Sequence, residues 1–403
     1  MTSSPQSKTP SAPPVRLRDE LSTIVILLSA GALSSMTGGT VDPVFPDITQ
    51  SLVMDDRWTG TVASLHILTT AIAGPIMGLL ADRLGKKLIL VSALIAYAVF
   101  GSMGGLAQNT EFYILSRLLV GVASGGIAAA SIGWLATKYD GEVRSRILGY
   151  AASALASASI VFPLVGGWVG SFGWRWAFAI YILGIPVALV VTLGLRASSD
   201  GPNEALEQLP LLRKTLKQPD LWLTFAGLAL SSACFAMVIV YAPLYFSETI
   251  GADSVLNGMI LAARAIGAAI LAAVGASKLA RKVGVRRAIA IGFLIMSITL
   301  ATIPTFRDPR LILFVALVFG LGFGAVMPNL YDTAAEQCPP ETRATLLALG
   351  NGLSALGQFS SPFFLGPVWK YNGEAVFWVT AIVAGITGLI LVTKPGRLPK
   401  SSL

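Results

Sequence analysis

Residues 78–90 read GLLADRLGKKLIL and lie between two long apolar runs, at about 59–80 and 88–106. Each run approaches the ~20 residues that a helix needs to cross the hydrocarbon core of a bilayer. The stretch between them is therefore predicted to be a tight loop at a membrane surface.

Three bases in this loop, Arg83, Lys86 and Lys87, indicate which surface it occupies. Short loops rich in lysine and arginine stay on the cytoplasmic side of a membrane, so we expect the loop there. Glycines in such a loop let two helices approach each other and let the chain turn sharply. The loop also contains one acid among the three bases. These residues are Gly78, Gly85 and Asp82.

The composition of the 403-residue chain is that of a polytopic membrane protein. Hydrophobic residues make up 54% of the sequence and charged residues only 12%, whereas soluble proteins average about 25% charged residues. The net charge of +8 is spread over short loops rather than one basic face. It therefore favours contact with anionic lipid head groups over a nucleic-acid partner.

Cysteine and histidine are scarce. Cys234 and Cys338 lie far apart, and His66 is the only histidine. No group of these residues with acids has the spacing of metal ligands, so neither a disulfide framework nor a metal or other cofactor is expected.

Twelve apolar runs are long enough to be membrane spans. Twenty-two of the 29 lysines and arginines fall in the N-terminal tail, the even-numbered loops and the C-terminus. This asymmetry predicts a multi-pass protein of the plasma (inner) membrane with both termini cytoplasmic. The predicted spans are 21–45, 59–80, 88–106, 112–135, 147–170, 176–195, 221–246, 256–277, 287–305, 311–335, 344–369 and 375–393.

Polar stretches divide the chain into two halves of six spans each. Residues 1–20 are predicted to be a disordered cytoplasmic tail, and 394–403 a second tail. The proline-containing stretch 196–220 is predicted to be a cytoplasmic linker. It separates an N-terminal bundle, 21–195, from a C-terminal bundle, 221–393.

A constant offset of 199 residues aligns turn and kink residues of the two halves. It superimposes Gly85 on Gly284, and the pairs Gly121 with Gly320, Gly125 with Gly324 and Pro163 with Pro362 follow the same offset. Such a repeat predicts two bundles related by an axis along the membrane normal, with a substrate site between them near mid-membrane.

The stretch at 78–90 resembles the loop between spans two and three of the major facilitator superfamily, written G-x-L-a-D-r-x-G-r-k-x-x-l. Nine positions fit this pattern. The resemblance implies an all-α membrane fold of twelve transmembrane helices in two pseudo-symmetric six-helix bundles. It also implies that the loop latches one conformational state; the alternative is a topology signal only. The implied latch residues are Gly78, Asp82, Arg83, Gly85, Lys86 and, in the loop after span four, Arg144.

Two motifs in the first and fourth spans resemble proton-coupling elements of the family. Pro43–Pro46 resembles the P-v-x-P signature of the twelve-span drug:proton antiporters, and Asp42 precedes it. A carboxyl group there can load a proton on one side and release it on the other; the alternative is an ordinary interfacial acid. Arg117 opens RLLVGVASG, similar to R-x-x-q-G with Gly121 retained, which implies a part in proton movement.

A cation inside a span is a functional candidate by default, although Arg117 can instead hydrogen-bond span carbonyls. His66 is a third proton-coupling candidate, with helix packing as its alternative.

Span five contains a second motif, in which Pro163, Gly166 and Gly167 fit the antiporter pattern g-x-x-x-G-P-x-x-G-G. These residues are predicted to kink the helix and allow close packing. Ala158 and Phe162 stand where the pattern has glycine. This departure keeps a symporter or a facilitator of a specific metabolite open as an alternative.

Polar and aromatic residues in spans seven to eleven are candidates for the wall of a substrate cavity; the alternative for each is hydrogen bonding between helices. Arg264, inside an apolar run, is expected to hold an anionic group. The candidates are Tyr241, Tyr245, Arg264, Asn329, Tyr331, Asn351 and Gln358.

Together these patterns favour a monomeric secondary transporter that moves small amphipathic or toxic compounds out of the cell by alternating access, coupled to protons. The sequence has no phosphate-cradling loop, so a proton gradient is the expected driving force. A membrane enzyme would need clustered catalytic groups, and a receptor a sizeable soluble domain. Neither feature is found, and we expect no enzyme activity.

Overall fold

The computed structural model describes residues 17–139, 141–195, 209–339 and 342–393. Every regular element in these ranges is helical, which confirms the predicted all-α fold. The long helices are α1 (Leu21–Ser51), α2 (Asp56–Leu84), α3 (Lys86–Leu106), α4 (Thr110–Lys138), α5 (Arg146–Gly170), α6 (Trp174–Gly194), α7 (Pro219–Ile250), α8 (Ser254–Val283), α9 (Val285–Thr305), α10 (Pro309–Gln337), α11 (Arg343–Tyr371) and α12 (Gly373–Thr393).

Eleven of the helices in the described ranges are long and apolar enough to cross a membrane. The remaining long helix, α11, is as long as α4 but less apolar, because Asn351 and Gln358 interrupt its apolar sequence. Both residues line a cavity inside the protein. A helix that faces a cavity needs less apolar surface than one surrounded by lipid, so α11 completes the twelve.

The 199-residue repeat has a structural counterpart in the packing of each half. A Cβ atom on Gly121 of α4 would lie 2.5 Å from the carbonyl oxygen of His66 on α2. Gly320 of α10 lies in the same way against the carbonyl oxygen of Arg264 on α8. Without side chains at these glycines the backbones of two helices can touch, and the two halves use the same device.

The loops that follow α2 and α8 are also built alike. Gly85 and Gly284 have φ values of 98° and 90°, a backbone conformation that glycine adopts without strain. Lys87 donates hydrogen bonds to the carbonyl of Leu195, just beyond α6, at 2.6 Å. Its counterpart Arg286 donates to the carbonyl oxygen of α12 residue Leu391 at 2.8 Å. Cations at the C-termini of helices are stabilised by the helix dipole. We call the end of the molecule that carries these two loops the basic end.

The two halves meet at the opposite end, which we call the sealed end. There α5 crosses α8, and a Cβ atom on Gly258 would lie 2.5 Å from the carbonyl oxygen of Pro163. Ser254 donates a hydrogen bond to the carbonyl of Gly167 at 3.0 Å. Gly166 packs against the backbone of Thr40 on α1. The predicted packing role of the span-five glycines is thus seen in the contacts of α5 with α1 and α8.

A second crossing, of α2 with α11, repeats this arrangement across the molecule. A Cβ atom on Gly60 would lie 3.1 Å from Cβ of Pro362, and Gly366 packs against the carbonyl oxygen of Arg57. Pro362 and Gly366 correspond to Pro163 and Gly167 by the 199-residue offset. The seal therefore consists of two similar helix crossings on either side of the interface.

One ion pair joins the halves at the rim of the seal. Lys370 Nζ lies 3.1 Å from Asp55 Oδ1, and both side chains are about half exposed. The backbone N–H of Arg57 and the ammonium of Lys370 hold the pKa of Asp55 below its ordinary value of 3.8. The carboxylate therefore favours the sealed arrangement above that pH, and the contribution is lost as the pH falls further.

The predicted domain boundaries differ from the structure at two places. The helix that carries the first span begins at Leu17, four residues before α1 as defined by the span, so residues 17–20 of the predicted disordered tail are helical. Within the predicted linker, Leu209–Thr215 forms a short helix and α7 already begins at Pro219. Residues 1–16, 196–208 and 394–403 lie outside the described residues.

We expect Gly121→Ala to lower the stability of the protein, because the added methyl group has to displace Thr69 and the α2 backbone. Overpacking of this kind costs about 1–3 kcal/mol. The measurement is the thermal midpoint of the purified protein in detergent. Gly133→Ala on the same helix is the control, since nothing lies within 4 Å of its added Cβ. Equal midpoints for the two variants would contradict the packing described.

Loss of the rim ion pair should loosen the seal. We expect Lys370→Met to speed alkylation of a cysteine placed at the buried Ser254, by on the order of twofold to fivefold, as for an exposed ion pair. Cys234 and Cys338 are replaced by alanine beforehand. Asp55→Asn should give the same acceleration, and the double variant no more. Fully additive effects would show that the two residues act independently.

Candidate substrate and proton site

A cavity of about 750 Å³ lies between the two halves. At its mouth, Ala348 and Asn351 of α11 are exposed and face the basic end. Its walls run inward to Asp42 on α1 and Pro163 on α5, next to the helix crossings of the seal. The structure is therefore open at the basic end and closed at the other.

Asp42 and His66 face each other in the deep part of this cavity, on either side of Gly38. A Cβ atom on Gly38 would lie 3.0 Å from Asp42 Oδ2 and 3.1 Å from His66 Nε2. The second imidazole nitrogen, Nδ1, lies 2.9 Å from the carbonyl oxygen of Ala63. Because a carbonyl only accepts, Nδ1 carries the hydrogen, and in the neutral ring Nε2 is an acceptor turned toward Asp42. No hydrogen bond joins the carboxyl group to the imidazole; the two groups lie on either side of the space above Gly38.

Arg264 brings a positive charge to the same cavity from the C-terminal half. Its side chain is 5% exposed, and its guanidinium carbon lies 4.2 Å from the centre of the Phe235 ring. Arg264 and His66 occupy similar places in the two halves, because the carbonyl oxygen of Arg264 contacts Gly320 and that of His66 contacts Gly121. Arg264 lines the cavity in this structure, and its predicted role in holding an anionic group stays a prediction.

Two amide side chains add to the polar part of the wall, which also contains hydroxyl groups of serine and threonine. Asn351 and Gln358 line the cavity from α11. The hydroxyl of Tyr331 donates to Asn351 Oδ1 at 3.1 Å, so Tyr331 orients a cavity residue from α10. The rest of the wall is mainly alanine, glycine, isoleucine and leucine.

Three predicted cavity residues lie outside the cavity wall in this structure. Each satisfies its polar group in packing contacts with helices or loops. Tyr241 donates to the carbonyl of Pro362 at 3.1 Å, Tyr245 to that of Pro304 at 3.3 Å, and Asn329 to that of Ala325 at 2.7 Å. The sequence identified them as polar groups inside spans but not which side of the helix they occupy.

Arg117 is buried outside the cavity wall, with 1% of its surface exposed. Its guanidinium carbon lies 4.9 to 5.5 Å from the ring centres of Tyr113, Phe178 and Tyr181. Nη1 donates to the hydroxyl of Tyr181 at 3.2 Å, and this hydroxyl donates to the carbonyl of Thr37 at 2.5 Å. Aromatic faces stabilise such a cation. The hydroxyl of Tyr181 thus links Arg117 to the carbonyl of Thr37, which lies on α1 about one turn before Asp42. The part of Arg117 in proton movement stays a prediction.

The predicted latch residues lie at the open basic end. Asp82, Arg83 and Arg144 are exposed, whereas Lys86 is buried and donates to Thr137 Oγ1 at 2.5 Å. Gly78 is partly buried on α2, close to Ala129. A latch between the halves can form only when this end closes, so the proposed role of Asp82 stays a prediction.

Sequence reasoning missed Gly38 and Phe235, which shape the site. Gly38 precedes Asp42 by four residues, and residues four apart share a helix face; this spacing was available as a signal. Phe235 lies in an apolar run and no pattern distinguishes it from residues that face lipid.

Comparison with known proteins places the chain in a family. The family model of the Major Facilitator Superfamily matches residues 27–362 and, in an overlapping second match, 258–402. The multidrug resistance protein MdtG of Citrobacter koseri is 26% identical over 334 residues, which cover 81% of this chain and 82% of the relative. The MdtG protein of Escherichia fergusonii is 26% identical over 335 residues, or 81% of each chain.

Solved structures show the same fold. A bacterial homologue of the human lysosomal transporter Spinster, in an inward-facing and occupied conformation, superimposes with a TM-score of 0.76 at 16% identity. The match covers 96% of this chain and all of that one. The D-xylose-proton symporter gives a TM-score of 0.75 at 15% identity, over 95% of this chain and all of the other. The chain belongs to the major facilitator superfamily of membrane transporters.

Proposed function

We propose that the protein exports small amphipathic compounds in exchange for protons, and that Asp42 carries the proton. The observation that supports this most directly is the position of Asp42. Its carboxyl group faces the central cavity at the deep end, beside the seal and opposite the acceptor nitrogen of His66. A single acid at this depth becomes accessible from the far side when the seal opens.

In this mechanism a proton and the substrate compete for the deep part of the cavity. With the basic end open, Asp42 releases its proton to that side and the substrate enters. When the halves rock, the seal opens and the basic end closes. The substrate leaves, and a proton from the far side returns to Asp42. His66 is a further proton-coupling candidate, because its Nε2 is an acceptor near Asp42.

The wall of the cavity suits amphipathic compounds. Most of the residues that line it are small or apolar, and only Asp42, His66 and Arg264 among the lining residues are ionisable. Such a surface offers area for an apolar body and few fixed hydrogen bonds, as is common at sites that accept many ligands. The name of the MdtG relatives, multidrug resistance proteins, supports the same substrate class.

The distribution of charge supports an orientation with the basic end in the cytoplasm. Twenty-two of the 29 lysines and arginines belong to loops and tails on that side of the sequence-derived topology. The cavity then opens to the cytoplasm, and both termini lie there. We propose a monomer in the inner membrane that contacts anionic lipids through these loops and is driven by the proton gradient rather than by a cofactor.

Transport by the purified protein in liposomes tests this proposal. We expect a pH gradient with the acidic side inside the vesicles to drive uptake of lipophilic organic compounds. Asp42→Asn should abolish this gradient-driven uptake, because an amide cannot exchange a proton. Asp47→Asn is the matched control: Asp47 is exposed and lies near the same end of α1, and its replacement should leave transport unchanged.

The direction of coupling separates export from the alternative. Substrate that moves in the same direction as protons would replace exchange by symport. Transport that ignores the gradient, or that survives Asp42→Asn, would contradict the assignment of the proton to Asp42.

A further inference from the structure

Asp42 and Arg264 face the cavity, and apart from the Phe235 ring beside Arg264 neither side chain is in direct contact with a partner for its charge among the described residues. Among the described residues, no group forms a hydrogen bond or ion pair with the side chain of Asp42 or with the guanidinium of Arg264. Arg264 Nε is fully buried and unsatisfied. Buried guanidinium groups are otherwise found paired with carboxylates or other acceptors, because the loss of hydration has to be replaced.

The two charges belong to different halves and lie across the cavity from each other. Asp42 is on α1, whereas Arg264 is on α8. The helices touch nearer the seal, where Asn257 Nδ2 donates to the carbonyl of Pro43 at 3.4 Å. Arg264 follows Asn257 by seven residues, which is about 10 Å along the helix. No hydrogen bond or ion pair joins the carboxylate to the guanidinium, although each lies within range of the other's charge, so both groups remain open to a ligand in the cavity.

We propose that the transported compound is a zwitterion, with its cationic group at Asp42, its anionic group at Arg264 and its apolar body against Phe235 and the alanine-rich wall. This inference rests on the proposed role of the cavity as the transport site and adds the substrate class. A compound with both charges replaces the hydration of both residues. A compound with one charge leaves the other residue unpaired, which is a strong basis for rejection.

A ligand bound in this way would also link the two halves of the protein. Its two charged groups contact α1 and α8, which belong to different bundles. The amide groups of Asn351 and Gln358 face the same cavity from α11, and Asn351 uses its oxygen to accept from Tyr331. The nitrogen of Asn351 is then available as a further donor to the anionic group.

Equilibrium binding of three compounds with one biphenyl body tests the proposal. They are 4-phenylphenylalanine, a zwitterion; 2-(biphenyl-4-yl)ethylamine, a cation; and 3-(biphenyl-4-yl)propanoic acid, an anion. Calorimetric titration of the purified full-length protein at neutral pH should give an affinity for the zwitterion on the order of tenfold or more above either of the others.

Substitutions should remove this preference selectively. Arg264→Gln is expected to lower the affinity for the zwitterion to that for the amine, and Asp42→Asn to that for the acid. Arg281→Gln, an exposed position on the same helix as Arg264, should change none of the three affinities. The proposal is overturned if the amine or the acid binds as well as the zwitterion, if none of the three binds, or if the two variants lose affinity for all compounds equally.

The binding experiment can fail or succeed independently of the test of proton exchange in liposomes. Selective binding of the zwitterion without proton-driven flux in liposomes would support this inference and contradict the proposed exchange. Proton-driven flux of the amine with no preference for the zwitterion would do the reverse.

Discussion

The close approach of helix backbones at glycine is the constraint on which the rest of the structure depends. Where Gly258 meets Pro163 the two halves touch backbone to backbone, and at the second crossing Gly60 leaves room for the side chains of Tyr241 and Pro362. Contacts made at glycine are shallow, so the helices can separate there without repacking a core. They close one end of the molecule completely while leaving the other end free to open, and the cavity is what remains between the halves.

The cavity in turn decides where charge is tolerated inside the membrane. Asp42 and Arg264 face it, and water or a ligand can replace the hydration that they lose. Arg117 has no access to the cavity wall and instead lies among three aromatic rings and the hydroxyl of Tyr181. Two arginines that look alike in the sequence thus have different surroundings, one suited to a ligand and one to positioning α1 next to Asp42.

Much of the fold was predictable, because the length of apolar runs, the distribution of bases and a repeated glycine pattern all follow from the bilayer itself. The site was predictable in part. Asp42, His66 and Arg264 stand out as ionisable residues inside spans, whereas Tyr241 and Asn329 share that polarity and yet pack between helices. The side of a helix that faces a cavity depends on its rotation against its neighbours. A span bordered by both lipid and cavity carries a weak periodic signal of that rotation.

The central claim is that two similar bundles rock so that one end closes as the other opens. Distances between spin labels at both ends test it directly. One pair replaces Val53 and Tyr371, which are 88% and 90% exposed at the sealed end; the other replaces the exposed Arg83 and Lys282 at the basic end. As the pH is lowered in lipid nanodiscs, we predict that a longer distance at the first pair accompanies a shorter distance at the second. Distances that lengthen together, or stay fixed at both ends, would contradict the account.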